Sequence, residues 1–293
     1  MTLPSFNKPR FIKDVKAKIL RNDLTVIQDM DKEMKNENIE QKDLLDIINY
    51  ALENNKIPIA YTIFDLGYLR PNTFLLKDCV LGPQPCNLLT LVRHYPGFVD
   101  RILQTNENFA LELNDRRRSS LFYTITDGSM DAVLHNVRII KKKNNQYLFH
   151  QDHKGNTILF FWALRKSSMN DLFDILHYIL SGLSPEEKVE LIESLNSNQN
   201  SALDIANEVG NRDAIIVLSF FLNQARREKG DIPVGEERKW QNGIGGMDAI
   251  QRARLRSAWE RKHVQHFGGG MEESKEKEFI TTTQIRRRFP EFF

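Results

Sequence analysis

Cysteine, net charge and long apolar runs are all scarce in this chain, and each scarcity removes a class of protein. The two cysteines, Cys79 and Cys86, are too few for a disulfide framework, and their spacing fits neither a zinc knuckle nor a CxxC redox pair. Ordinary reduced thiols are expected. No uncharged apolar stretch approaches the roughly 20 residues that carry a helix across a bilayer. The longest, Ile158–Leu164 and Ala214–Leu222, have the length of core helices. The opening MTLPSFNKPR lacks the apolar core of a signal peptide, residue 2 is not glycine, and the chain ends in Phe-Phe. Neither a leader nor a lipid anchor is expected, and the protein is placed in the cytoplasm. With 41 basic and 39 acidic residues the net charge is +2, which gives the whole molecule no strong attraction for polyanions.

Recognisable catalytic sets are missing as well. Gly243-Ile-Gly-Gly246 has neither the length nor the Lys-Ser/Thr ending of a phosphate-binding loop. His263 and His266 could share a helix face, but no Cys or carboxylate cluster completes four metal ligands. Cys86 and His94 lack an orienting third group. The aromatic runs Phe160-Phe-Trp162 and Phe220-Phe221 fall at core positions of helices. No catalytic residue, metal ligand or cofactor is assigned, and the chain is expected not to be an enzyme.

What is present is an ordinary globular composition, 41% hydrophobic and 27% charged, arranged in short units. In Asn200–Leu218, Ser201 is a good N-cap, and Ala202, Ile205, Ala206 and Val209 recur with helical spacing. Gly210 breaks the helix, Asp213 suits the start of a second one, and Ala214 opens an apolar run. Helices of two turns do not persist alone in water, so neighbours must cover them. The same helix, breaker, helix order returns at 152–180 and at 119–134, where Gly128 and Asp131 match Gly210 and Asp213. It returns more faintly at 87–103 and 43–67, which gives an irregular period of about 32 to 44 residues, the mark of a repeat array. Pro9–Leu20 reads as an amphipathic helix with Phe11, Ile12, Val15 and Ile19 on one side, suited to capping a stack.

The expected fold is therefore all-α. Residues 1–42 form a helical cap and 43–222 a stack of about five repeats, clearest at 115–222. Residues 223–293 form an extension with a helix near 248–267 and a mobile tail over 268–293. Because Ala214–Leu222 is apolar nearly all round, part of 223–267 is expected to fold back over it. Residues 226–293 hold fifteen basic and eleven acidic residues, so any polyanion contact belongs there.

The residues resemble ankyrin repeats. Asp152, Gly155, Thr157 and Leu159 follow the Asp-x-x-Gly-x-Thr-x-Leu pattern, and Leu203, Ala206, Gly210 and Asp213 with Ile215–Leu218 follow its later half. Ile158 stands in place of the usual Pro, while Arg117 and Gln199 stand in place of the turn glycine. The resemblance implies an ankyrin-type solenoid of stacked helix pairs, a monomer, that binds a protein partner through its concave face and finger tips. Its exposed positions are Asp115, Arg116, Arg118, Thr126 and Asp127; then His153, Lys154, Asn156, Leu164 and Arg165; then Ser197, Asn198, Asn200 and Glu208. That edge is basic and amide-rich and suits an acidic or polar partner. A degenerate array with a late acidic cluster, here Glu272, Glu273, Glu276 and Glu278, also resembles type IV secreted effectors of intracellular bacterial pathogens. This second resemblance implies a secretion signal in the tail, delivery into the host cytoplasm and a host protein as partner. An enzyme with its site in the C-terminal extension is the first alternative. Nucleic-acid binding through that extension, where Arg252, Arg254, Arg256, Arg261 and Lys262 flank Trp259, is the second and is not favoured.

Overall fold

The computed structural model describes residues 6–79 and 82–231, and it is mostly helical. The expected helix near 248–267, the tail and the four glutamates lie outside the described residues.

The N-terminal unit opens with α1 (Lys8–Leu20), which has Pro9 in its first turn and buries Val15 and Ile19 as its periodicity predicts. A second helix, α2 (Thr25–Lys35), follows, and then come α3 (Gln41–Glu53) and α4 (Ile57–Asp65). Asn55 takes φ 57° at the break between the latter two. A two-stranded antiparallel hairpin, β1 (Leu75–Cys79) and β2 (Gly82–Cys86), sits within this mostly helical order, which agrees with the all-α expectation.

Helices then come in pairs: α5 (Leu88–Leu91) with α6 (Pro96–Thr105), α7 (Ser120–Asp127) with α8 (Met130–Lys143), and α9 (Ile158–Ala163) with α10 (Met169–Leu180). After α11 (Pro185–Glu193) the last pair is α12 (Ala202–Glu208) and α13 (Arg212–Lys229). First helices pack in one row, α5 on α7, α7 on α9 and α9 on α12, and second helices in another, α6 on α8, α8 on α10 and α10 on α13. Between rows Trp162 of α9 donates its indole N–H to the Leu172 carbonyl of α10 at 3.3 Å. All six residues of α9 are buried, so this short helix exists through its neighbours and not through its own propensity.

The last pair differs from expectation in two ways. α13 opens at Arg212, two residues before the expected start at Ala214, because Asn211 rather than Asp213 is the cap and accepts from the Ala214 N–H. It runs on to Lys229 and ends on Gly230 at φ 90°. Leu218 and Phe221 are buried and Ile216 partly so, as two-sided cover requires. That cover comes from α10 and from α11, which packs along α13 and pins it with Lys188–Glu228 (2.8 Å) and Arg226–Glu193 pairs. Residues 223–229 continue α13 itself, and 232–267 lie outside the described residues.

Candidate functional site: a ladder of loops

Three loops between the helix pairs share one construction. Each begins with an Asx residue whose side-chain oxygen accepts two main-chain N–H groups, two and four positions on. Asn114 accepts from Arg116 and Arg118, both at 3.0 Å. Asp152 accepts from Lys154 at 2.8 Å and Asn156 at 3.0 Å. Asn196 accepts from Asn198 at 2.9 Å and Asn200 at 3.1 Å. The residue three positions after the Asx is left-handed in every case: Arg117 at φ 57°, Gly155 at 77° and Gln199 at 62°. For the two non-glycines that conformation costs roughly 1–2 kcal/mol. The Asx bonds offset it, and so the turns close without their glycines.

Successive loops are joined through the main chain. The His153 N–H donates to the Arg116 carbonyl at 3.2 Å, and the Ser197 N–H to the Lys154 carbonyl at 2.9 Å. The steps are therefore in register, with Arg116, Lys154 and Asn198 at equivalent positions and Asp115, His153 and Ser197 beside them. Gly155 has a second reason to be glycine, since a Cβ there would sit 2.9 Å from the Ser197 nitrogen.

Beneath the tips the loops are bolted together by buried polar groups. The Arg118 guanidinium meets the Asp152 carboxylate at 2.7 Å, lies over the Phe161 ring at 4.8 Å, and donates to Gln84 of β2 at 3.2 Å. Burial alone would raise the Asp152 carboxyl, but the Asn156 and Lys154 N–H groups and Arg118 outweigh it and hold the group below its ordinary range. One step further, the Asn196 amide donates to the Asn156 side-chain oxygen at 2.9 Å.

On the other side, where first helices end, the polar groups are also committed. Arg165 donates to the carbonyls of Ile125 at 3.1 Å and Gly128 at 2.8 Å, capping α7. Burial pulls its pKa down, while Asp171 and Asp127 oppose that. Asn211 does the same for α9, donating to the carbonyls of Ala163 and Arg165, both at 2.9 Å. Asp127 is held by a two-pronged pair with Arg93, at 2.6 and 2.8 Å. His94 stands 3.9 Å from the same carboxylate, its pKa lowered by burial and by Arg93. An open cavity of about 550 Å³ lies here, lined by Leu164, Lys166 and Ser167 on one side and by Val209–Asp213 on the other.

The positions expected to be exposed therefore divide. Asp115, His153, Lys154, Ser197, Asn198 and Glu208 are exposed, and Arg116, Asp127, Asn156, Leu164 and Asn200 are partly so. Arg118, Thr126 and Arg165 are buried, contrary to expectation. The first is spent on Asp152 and the third on helix ends, while Thr126 donates its hydroxyl to the Phe122 carbonyl one turn back at 2.9 Å. Asn114, Gln84, Arg93 and Asn211 are structural participants that repeat matching passed over. For Asn114 and Asn196 the signal was present, an Asx at the same offset before each pair. Cys86 is buried at the end of β2, and among the described residues no group of three or more His, Cys, Asp or Glu side chains could hold a metal. No helix among the described residues is long and apolar enough to cross a membrane. No family model matches the chain, and no curated protein matches its sequence.

Proposed function

We propose that this chain is a non-enzymatic protein-interaction module, an ankyrin-type stack whose loop edge engages a protein partner. The carrying observation is the row of tips, Asp115, His153–Lys154 and Ser197–Asn198 exposed and Arg116 partly so, held in register by main-chain bonds between loops. Two rows of helices, each unit covering the next, are the arrangement that repeat arrays use to extend a surface. Rigid loops lose little conformational freedom on binding, which favours recognition at their tips. The concave side contributes less than the family pattern implies, because Thr126 and Arg165 are buried and Asp127 is paired. Substituting Arg116, Lys154 and Asn198 together by alanine tests the surface: affinity for a captured partner falls at least tenfold, while an unchanged affinity rejects it.

The effector reading belongs to the same proposal and rests on Glu272, Glu273, Glu276 and Glu278 of the sequence. A translocation reporter fused to the full chain is delivered into host cells, and replacement of the four glutamates by alanine abolishes delivery. Delivery unaffected by that change removes the signal assignment.

A further inference from the structure

Helix α1 has two amphipathic faces, and only one is used by the fold. Val15 and Ile19 are buried inward. On the opposite side lie Arg10, Lys13, Ala17, Leu20 and Arg21, spaced by three, four, three and one, which sets them along one outer stripe. Leu20 is 47% exposed, and Leu24, just beyond the turn, is 66% exposed. Arg21 and Asn22 of that turn are exposed, with Asn22 left-handed at φ 57°.

The cations of this segment separate by face. Lys8 pairs with Glu40 and Asp43, Lys16 with Asp46 and Lys18 with Asp29. Arg10, Lys13 and Arg21 have no carboxylate partner among the described residues. Of the nearby acids, Asp14 shares the outer stripe, and Asp23 of the turn accepts from the Thr25 N–H at 3.0 Å and hydroxyl at 2.8 Å while its charge also acts on Arg21. The outer side therefore presents an exposed leucine pair flanked by three cations outside any ion pair of the described residues, against the two carboxylates of Asp14 and Asp23.

We propose that this outer face of α1 and the following turn form a peripheral contact with an anionic membrane surface. Charge complementarity selects the occupant: these cations reach the lipid phosphates and carboxylates, while Leu20 and Leu24 enter the boundary beneath them. Two exposed leucines among cations match a bilayer boundary, where charged headgroups lie directly over acyl chains. The net charge of +2 does not oppose this, because a membrane senses charge within about a Debye length of its surface. Each cation so placed contributes roughly fivefold in partitioning.

Co-sedimentation of the full chain with vesicles tests the contact, using phosphatidylcholine alone and phosphatidylcholine mixed with phosphatidylserine. The chain sediments with the mixed vesicles, not with phosphatidylcholine alone, and added salt releases it. Leu20→Glu with Leu24→Glu, and separately Arg10→Glu with Lys13→Glu, each lower partitioning at least tenfold with the far-ultraviolet spectrum unchanged. Milder Arg10→Gln and Lys13→Gln changes lower it in proportion. No sedimentation, equal sedimentation with both vesicle types, or variants that sediment like the unaltered chain would each overturn the proposal. The last of these outcomes would assign binding to basic residues elsewhere. Capture of an acidic protein by this face without vesicle binding would overturn it too.

Discussion

Arg118 and Asp152 form an ion pair inside the protein, with nitrogen and oxygen 2.7 Å apart, and each closes the loop from which the other takes its register. Arg118 ends the first loop and Asp152 begins the second, so one contact fixes the step between them. Removing only one partner strands a buried charge, which costs about 3–5 kcal/mol. Arg118→Met is therefore expected to lower the unfolding free energy by that amount in urea titrations. The double variant Arg118→Met with Asp152→Asn recovers part of the loss, giving a clearly non-additive cycle.

Acid sensitivity follows from the same carboxylate. Its folded pKa lies below the ordinary value, so its stabilisation is fully present above about pH 4 and is lost as pH falls through the folded value. Glu107, lowered to about 2 by its bonds to Lys142 and Lys143, acts in the same direction over the window from about 4.5 to about 2. Stability measured from pH 7 downward declines first below about 6.5, as the lowered His94 requires, and then more steeply below about 4.5. Asp152→Asn flattens the lower part of that fall.

Left-handed positions give a prediction with a sign. Gln199 sits at φ 62° with an exposed side chain, so Gln199→Gly removes backbone strain and raises stability by about 0.5–1 kcal/mol. Gly128 gives the opposite outcome. A Cβ there would lie 2.6 Å from the Thr124 carbonyl oxygen, so Gly128→Ala lowers stability by roughly 1–3 kcal/mol. Urea midpoints of the two variants should move in opposite directions.

Helix α11 is expected to carry the cover of the last pair. Leu191 is fully buried, and Leu191→Ala costs about 2–4 kcal/mol. Hydrogen exchange in the variant rises first in α13, the helix that α11 packs along. Faster exchange confined to α1–α4 would contradict that placement.

Much of the helical order was legible because short helices need caps and breakers, and these have narrow chemistry. Pro9, Asn55, Gly128, Gly210 and the apolar spacing around them placed most helix pairs close to where they form. The inserted α11 was missed although Ser184-Pro-Glu-Glu187 carries a full capping box, with Ser184 N–H donating to Glu187 at 2.8 Å and Glu187 N–H to Ser184 at 3.2 Å. It falls between repeats, where a search by period does not look. Side-chain direction at the site was less legible: Arg118 and Arg165 sit in polar, basic surroundings that read as surface. Only the distant partners Asp152, Ile125 and Gly128 explain why both turn inward.

The loop edge as a binding surface is tested most directly by affinity of a captured partner for three full-length proteins: unaltered, Arg116→Ala/Lys154→Ala/Asn198→Ala, and Lys35→Ala as a control remote from the loops. The account predicts at least a tenfold loss confined to the triple variant, with all three proteins folded under the assay conditions, although loss of the 2.7 Å bond from Arg116 to buried Gln84 lowers the urea midpoint of the triple variant. Equal affinity across the three proteins would contradict it.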